Sequence, residues 1–228
     1  MSREGQPGVT RTLPRGRHAA PRDVVARSQL ERLHTAMAAV VARKGYAATS
    51  VADVLAEAGV SRKSFYEHFA NKEACFLHAY DHGVDQVLTV IEAAIAAQSD
   101  PFGLAAAGVN AYLGWLVAHP AFARTFVLEA LAAGPRAFER RAAVHERFAE
   151  HFEQVYGAVR TRLPELGELP AYRFRACVGA TDELVLEHVR VHGPQTLEAL
   201  AEPMFDVIVG LLVGYDTAAR LADTAAAT

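Results

Sequence analysis

The stretch Ser50–Lys72, SVADVLAEAGVSRKSFYEHFANK, predicts two short helices joined by a tight turn, followed by the start of a third helix. Ser50 is a favourable N-cap for the first helix, with Asp53 in the capping-box position. Gly59 tolerates the left-handed backbone conformation that ends many helices. Two helices joined by a short, glycine-containing turn form the helix-turn-helix pattern.

The second helix of this pattern presents cationic and hydroxyl groups on its outer side. Phe65 and Phe69 are four residues apart and point into the core, so the intervening positions face outward. Arg and Lys can donate to guanine or to phosphate, and hydroxyls can contact base or backbone. The predicted DNA-binding residues are Thr49, Ser50, Ser61, Arg62, Lys63, Ser64, Tyr66, His68 and Lys72, together with Arg15 and Arg17 from the preceding arm.

The run AATSVADVLAEAGVSRKSFYEHFANKEACFLHAYD resembles the DNA-binding domain of the TetR family of bacterial transcriptional regulators. The matching features are the Thr-Ser cap, the Val-Ala-Asp-x-x-x-x-Ala-Gly-Val-Ser turn, the aromatic-Tyr-x-x-Phe helix and the Asn-Lys-Glu helix start. The resemblance covers about fifty residues, from Gln29 to Asp81. It implies a homodimer that binds a double-stranded DNA operator, most often as a repressor, and that responds to a small-molecule effector.

The charge distribution agrees with a polyanion partner for the first third of the chain only. Residues 1–80 carry twelve Lys or Arg against seven Asp or Glu, a net +5, and residues 81–228 carry eleven against nineteen, a net −8. A basic N-terminal part favours nucleic acid. The Arg-rich residues 1–22 predict a flexible basic arm, which either enters the minor groove or only adds non-specific phosphate attraction.

Helical apolar spacing continues through the rest of the chain, and no alternating run is long enough for a strand. The predicted fold is all-α. It comprises the arm (1–22), a three-helix helix-turn-helix domain (23–72) and a helical effector-binding and dimerisation domain (73–228). A long helix from Lys72 to Ala97 joins the last two, which are called the N-terminal and C-terminal domains below. Further helices are predicted at about 121–133 and from Gln195 to about Leu221.

The C-terminal domain holds two candidate sites. The middle helices combine aromatic residues with a few polar groups, as small-molecule pockets do, although an aromatic stripe is also ordinary core. The stretch MFDVIVGLLVGYDTAARLA is apolar around much of its circumference, which suits a two-fold helical dimer interface or intramolecular burial. The predicted pocket residues are Trp115, Phe126, Glu129, Phe148, Phe152 and Glu183. The predicted interface residues are Leu184, Gly210, Leu211 and Gly214.

Other classes of protein are disfavoured. The sequence has no membrane-length apolar span, no secretory signal, no phosphate loop and no nucleophile motif, so we expect a cytoplasmic non-enzyme without a cofactor. Two single cysteines fit a reducing compartment. Three alternatives stay open. The first is a DNA-binding dimer without a small ligand, and the second is a ligand-binding or sequestering protein that has lost specific DNA recognition. The third is a metal-responsive regulator that uses the His78/His82 or His188/His192 pair, although no metal ligand is assigned.

Overall fold

The computed structural model describes residues 21–214 and Thr217, and all regular structure in these residues is helical, which confirms the predicted all-α fold. The predicted Arg15 and Arg17 contacts lie outside the described residues. The α-helices have the following bounds: α1 Arg22–Lys44, α2 Val51–Ala58, α3 Arg62–His68, α4 Lys72–Ala96, α5 Pro101–Ala118, α6 Pro120–Phe122, α7 Pro135–Arg160, α8 Tyr172–His192 and α9 Ala201–Leu212.

The N-terminal domain packs α1, α2 and α3 around one apolar cluster. Leu33 and Met37 of α1, Val54 of α2 and Phe65 of α3 are all fully buried in it. The helical spacing of these residues along each helix brings them to one face, and burying that face supplies most of the stability of such short helices. The same cluster continues into the C-terminal domain through Phe76 of α4.

Helix α4 belongs to both domains. Its first half packs in the N-terminal cluster, and Val87 and Ile91 of its second half pack in a second cluster within the C-terminal domain. At Gly83 the ring of Phe122 fills the space beside the backbone, since a Cβ there would lie 1.8 Å from the ring. The glycine therefore permits the close approach of Phe122 to α4.

The chain at about 121–133 is helical, but it does not form the single regular α-helix that the sequence predicts. After α6 the chain forms a π-helix at Ala123–Glu129, called the π segment, and then a short 3-10 turn at Leu131–Ala133. Two contacts with the N-terminal domain, described below, coincide with the wider turns. Such π segments are rare and are frequently found at functional sites.

The predicted final helix is also interrupted. Residues Pro194–Leu200 form a 3-10 segment, and α9 begins only at Ala201. Pro203 lies in the first turn of α9, where its missing N–H needs no intrahelical partner, whereas a longer helix would place it in the interior. Gly214, with φ of 84°, follows α9, and so Gly210 and Gly214 do not share one helix face.

Among the described residues, no helix is both long and apolar enough to cross a membrane.

Candidate DNA-binding surface and effector cavity

The turn between α2 and α3 is held by local hydrogen bonds and by one side chain of α1. The Ser50 Oγ accepts from the Asp53 N–H at 3.3 Å, and Asp53 Oδ2 accepts from the Ser50 N–H at 2.9 Å, so the predicted capping box is formed. The Arg32 guanidinium donates to the carbonyls of Ala58 and Gly59 at 3.1 and 3.2 Å. These bonds fix the angle at which α3 leaves the turn.

One side of helix α3 is buried in the N-terminal domain, and the opposite side is exposed to solvent. Phe65 and Phe69 are buried, with ring centroids 5.6 Å apart, as their spacing predicts. Ser61 Oγ caps the helix by accepting from the Ser64 N–H at 3.0 Å, and the two hydroxyls also bond each other. The exposed residues of α3 are Arg62, Lys63, Tyr66 and Glu67, and Ser64 and His68 are partly exposed.

Two of the predicted DNA-binding residues instead brace the loop between α1 and α2. Thr49 is 3% exposed and its hydroxyl donates to the Gly45 carbonyl at 2.8 Å, so its side chain lies behind the surface. The Lys72 ammonium donates to the carbonyls of Tyr46 and Thr49, both at 2.8 Å, and lies 4.1 Å from the centre of the Tyr46 ring. Burial lowers the pKa of Lys72. Its first role is therefore structural, because two of its three donors are occupied.

Histidines cluster between α1 and α4. His34 is buried, and its Nε2 lies 2.9 Å from His78 Nδ1, while the centroid of the tilted His82 ring lies 4.6 Å from that of His34. Burial first, and then the charges of His82 and His78, lower the pKa of His34 to about 3. Within the described part of the chain, no group of three or more His, Cys, Asp or Glu is placed to hold a metal ion. In the other predicted pair, His188 Nε2 pairs with Thr196 Oγ1 at 2.9 Å.

The π segment connects the C-terminal domain to the N-terminal domain. The buried Thr125 hydroxyl donates to the Ala38 carbonyl of α1 at 2.8 Å. One turn later, Glu129 Oε2 accepts from the Tyr46 N–H at 2.9 Å. Between them, Phe126 stacks on Tyr80 of α4 with ring centroids 5.0 Å apart. This segment therefore contacts α1, the loop after α1 and α4 together.

The C-terminal domain contains a cavity of about 200 Å³, here called the effector cavity after its predicted role. Its walls come from α4, α5, the π segment, α7, α8 and α9, and most of its lining is aliphatic or aromatic. Along α4 it extends from Tyr80 to Ile95, about 22 Å at the rise of an α-helix. Phe126 of the π segment lines the cavity, so the wall of the cavity is also the contact with the N-terminal domain.

Polar groups are concentrated at one end of this cavity. Asp182 pairs with Arg141 and lies 3.6 Å from His145 Nε2. Burial first, and then the charge of Asp182, raise the pKa values of Tyr80 and Tyr112. Both tyrosines therefore stay protonated and can donate a hydrogen bond. A second hollow, lined by Phe138, Ala142, Glu146 and Arg175, shares Arg141 and His145 with this polar end.

Of the six predicted pocket residues, Phe126, Phe148 and Phe152 line this cavity and the other three do not. Trp115 is buried behind the wall, against the rings of His119 and Phe122. Glu129 points to the N-terminal domain because it accepts the Tyr46 N–H. Glu183 is exposed, and its neighbour Asp182 lines the cavity instead, since one residue is a rotation of about 100° on a helix.

The four predicted interface residues lie on or next to α8 and α9. Leu184, Gly210, Leu211 and Gly214 are all partly exposed in the single chain. Arg173 ties the two helices together by donating to the Leu211 carbonyl at 2.8 Å.

Several residues that line the cavity or join the two domains are absent from the predicted sites. Tyr80, Tyr112, Asp182 and His151 line the cavity, and Thr125 makes the contact with α1. The helical spacing of Phe148, Phe152 and Val155 was a usable signal for His151, because it places this polar residue beside an apolar face. No comparable signal marks Thr125, whose partner is 87 residues away.

Residues 33–79 match the family model for bacterial regulatory proteins of the tetR family. The uncharacterized HTH-type transcriptional regulator YerO of Bacillus subtilis strain 168 is 38% identical over 52 residues, which are 23% of this chain and 18% of that protein. The matched part thus spans less than a fifth of this curated relative. The family resemblance predicted from the motif is confirmed for the DNA-binding domain.

Solved structures extend the likeness to the C-terminal domain. The fatty acid degradation regulator FadR from Bacillus halodurans superposes with a TM-score of 0.71 at 20% identity, covering 82% of this chain and 96% of that one. FadR from Bacillus subtilis in complex with stearoyl-CoA gives 0.67 at 20% identity, covering 81% and 98%. A TetR-family regulator from Syntrophomonas wolfei gives 0.69 at 15% identity, covering 82% and 98%. At these identities the likeness establishes the fold.

Proposed function

We propose that this chain, which carries the DNA-binding domain of the tetR family, is a homodimeric transcriptional regulator released from a palindromic operator by a small apolar effector. The observation that carries the proposal is the connection at the π segment. Phe126 lines the effector cavity, and Thr125 and Glu129 on the same segment bond the N-terminal domain. A ligand that moves this wall therefore acts directly on the position of α1 and its loop.

The proposed DNA contacts come from the exposed side of α3. Arg62 and Lys63 would read bases or phosphates in the major groove, with Ser64, Tyr66 and His68 contacting the backbone. Ser50 and Ser61 cap the two helices and stand at helix N-termini that favour phosphate. Leu184, Gly210 and Leu211 would contribute to the dimer interface, so that two copies of α3 reach successive major grooves.

The proposed effector is a molecule with a long apolar body. The cavity is apolar along about 22 Å of α4, and one structural neighbour was solved with stearoyl-CoA. The hollow beside His145 contains Arg141 and Arg175, although both are paired with carboxylates. A fatty acyl compound would place its chain in the cavity and its polar group near this end. Release requires only that the effector bind the two conformations with different affinity, typically by about 1–3 kcal/mol.

The experiment is a selection of binding sites from random duplex DNA, followed by effector titration of the best site. We expect a two-fold palindrome with half-sites about one helical turn apart, and release by long-chain acyl compounds. No enriched motif would overturn the DNA-reading function. A palindrome that no acyl compound releases would favour the DNA-binding dimer without an apolar ligand.

A further inference from the structure

One buried polar atom in the wall of the effector cavity has no hydrogen-bond partner among the described residues. His151 lies on α7 and lines the cavity, and its Nε2 is buried without a hydrogen bond to any described residue. A buried polar atom left unpaired is destabilising, and most such atoms in folded proteins find a protein group or an ordered water. His151 is therefore a place where a polar group of a bound molecule would supply the hydrogen bond that no described residue makes.

Three other polar groups of the same wall are already committed. The Thr181 hydroxyl donates to the carbonyls of Cys177 and Val178, and the Tyr156 hydroxyl donates to the Gly167 carbonyl. Asp182 is paired with Arg141. Thr181, Tyr156 and Asp182 thus need nothing from a ligand, in contrast to His151.

The position of His151 places this atom along the body of a ligand. His151 comes six residues after His145, which lies at the polar end. This separation is about 9 Å along the axis of α7. Phe148, Phe152 and Val155 surround it on the same helix and line the same cavity. A ligand whose polar group lies near His145 would therefore pass His151 with its apolar part.

The chemistry of the imidazole limits what can pair with it. Burial lowers the pKa of His151, and the charge of Glu92 opposes this shift only in part. In a neutral imidazole, Nε2 is a donor in one tautomer and an acceptor in the other. A hydroxyl can satisfy either tautomer and a carbonyl oxygen one of them, whereas an ionised group would pay a large desolvation cost among apolar side chains.

We propose that the effector is an oxygenated long-chain compound, with an uncharged hydroxyl or carbonyl part-way along its apolar body that pairs with His151 Nε2. This inference rests on the proposed effector function and specifies the ligand class of that cavity. An unsubstituted chain would bind but would leave His151 unpaired.

The test compares acyl chains that differ by one oxygen. Full-length protein is titrated with the octadecanoyl thioester of N-acetylcysteamine and with a series in which a single hydroxyl is moved along the chain. Calorimetry measures the affinity for each compound. At one position we expect binding about tenfold tighter than that of the unsubstituted chain. His151→Phe should abolish this preference and bind the unsubstituted chain more tightly. His151→Gln, which keeps a hydrogen-bonding group, should retain part of the preference.

Phe148→Leu is the matched control, because it changes the same wall without removing a polar group and should weaken both ligands equally. Equal affinity for the unsubstituted and all hydroxylated chains overturns the inference, as does an equal effect of His151→Phe on both. If the unsubstituted chain still binds and releases DNA, the proposed function survives that result. If no chain binds, the acyl effector and the oxygenated class both fail.

Discussion

The helix N-termini of the N-terminal domain and the wall of the effector cavity treat polar groups in opposite ways. Ser50, Ser61 and Asn71 each cap a helix by bonding a residue three positions further on. In the cavity wall, His151 Nε2 is buried without a hydrogen bond to any described residue, as is His34 Nδ1 in the core of the N-terminal domain, away from the helix ends. DNA presents a nearly constant shape, so a surface that reads it gains from being rigid before binding. A small ligand needs space and unpaired groups, which the protein can provide only at some cost in stability.

The two regions meet at the π segment, where local and long-range contacts have different consequences. The caps of the N-terminal domain join residues three positions apart, so these hydrogen bonds need no partner from the C-terminal domain. The bonds of Thr125 and Glu129 exist only when both domains are folded and docked. The following predictions test this contrast, from the largest effect on stability to the smallest.

Phe65→Ala should have the largest effect. The side chain is 0% exposed and anchors α3, and removing it leaves a cavity that costs about 3–5 kcal/mol of the free energy of unfolding. Chemical denaturation measures the loss. The neighbouring Tyr66→Ala, on the exposed side of the same helix, should change stability by less than about 0.5 kcal/mol. Similar losses for the two variants would contradict the observed orientation of α3.

Glu129→Ala removes the bond between the C-terminal domain and the loop after α1. A hydrogen bond to a charged group contributes about 1.5–3 kcal/mol, so we expect a loss in the lower part of that range for this partly exposed residue. Glu129→Gln keeps an acceptor oxygen and should lose less. In operator-release assays, Glu129→Ala should need more effector than the wild type. Unchanged release by Glu129→Ala would remove this bond from the proposed coupling.

His34 should make the N-terminal domain sensitive to acid. The unfolded chain takes up the proton near the ordinary pKa of 6.5, whereas the folded domain takes it up only near 3. The contribution of neutral His34 to the free energy of unfolding is therefore complete above about pH 6.5 and is lost as the pH falls toward 3. Between pH 7 and pH 5 we expect the free energy of unfolding to fall by about 1–2 kcal/mol. Denaturation curves across this range measure it. His34→Gln should flatten the dependence, His188→Gln should not, and equal slopes in wild type and His34→Gln would refute the assignment.

Lys63→Ala should have the smallest effect on the fold. The side chain is 88% exposed, and its contact with Glu67 is 3.9 Å long, so stability should change by less than about 0.5 kcal/mol. If Lys63 reads a base, however, operator affinity should fall by about 1–3 kcal/mol. Thermal denaturation and fluorescence anisotropy on labelled operator separate the two quantities. A loss of stability without a loss of affinity would place Lys63 in the fold rather than on DNA.

Much of the N-terminal domain could be predicted because its determinants are close together in sequence. The capping box of Ser50 and Asp53, the turn at Gly59 and the buried pair Phe65 and Phe69 involve residues only a few positions apart. The positions of Thr49 and Lys72 were less predictable. Threonine and lysine are common at protein surfaces. Only the path of the loop between α1 and α2 places the Thr49 and Lys72 side chains against its carbonyl groups.

The sequence by itself determined the all-α fold, the helix-turn-helix and the outward side of α3, because helical spacing, caps and breakers act over a few residues. Only the tertiary structure decided that Glu129 bonds Tyr46 and that Asp182 rather than Glu183 lines the cavity. It also decided that His151 Nε2 has no hydrogen-bond partner among the described residues. Each of these depends on the rotation of one helix against another. A shift of one residue along a helix is enough to move a side chain from the cavity wall to the solvent-exposed face.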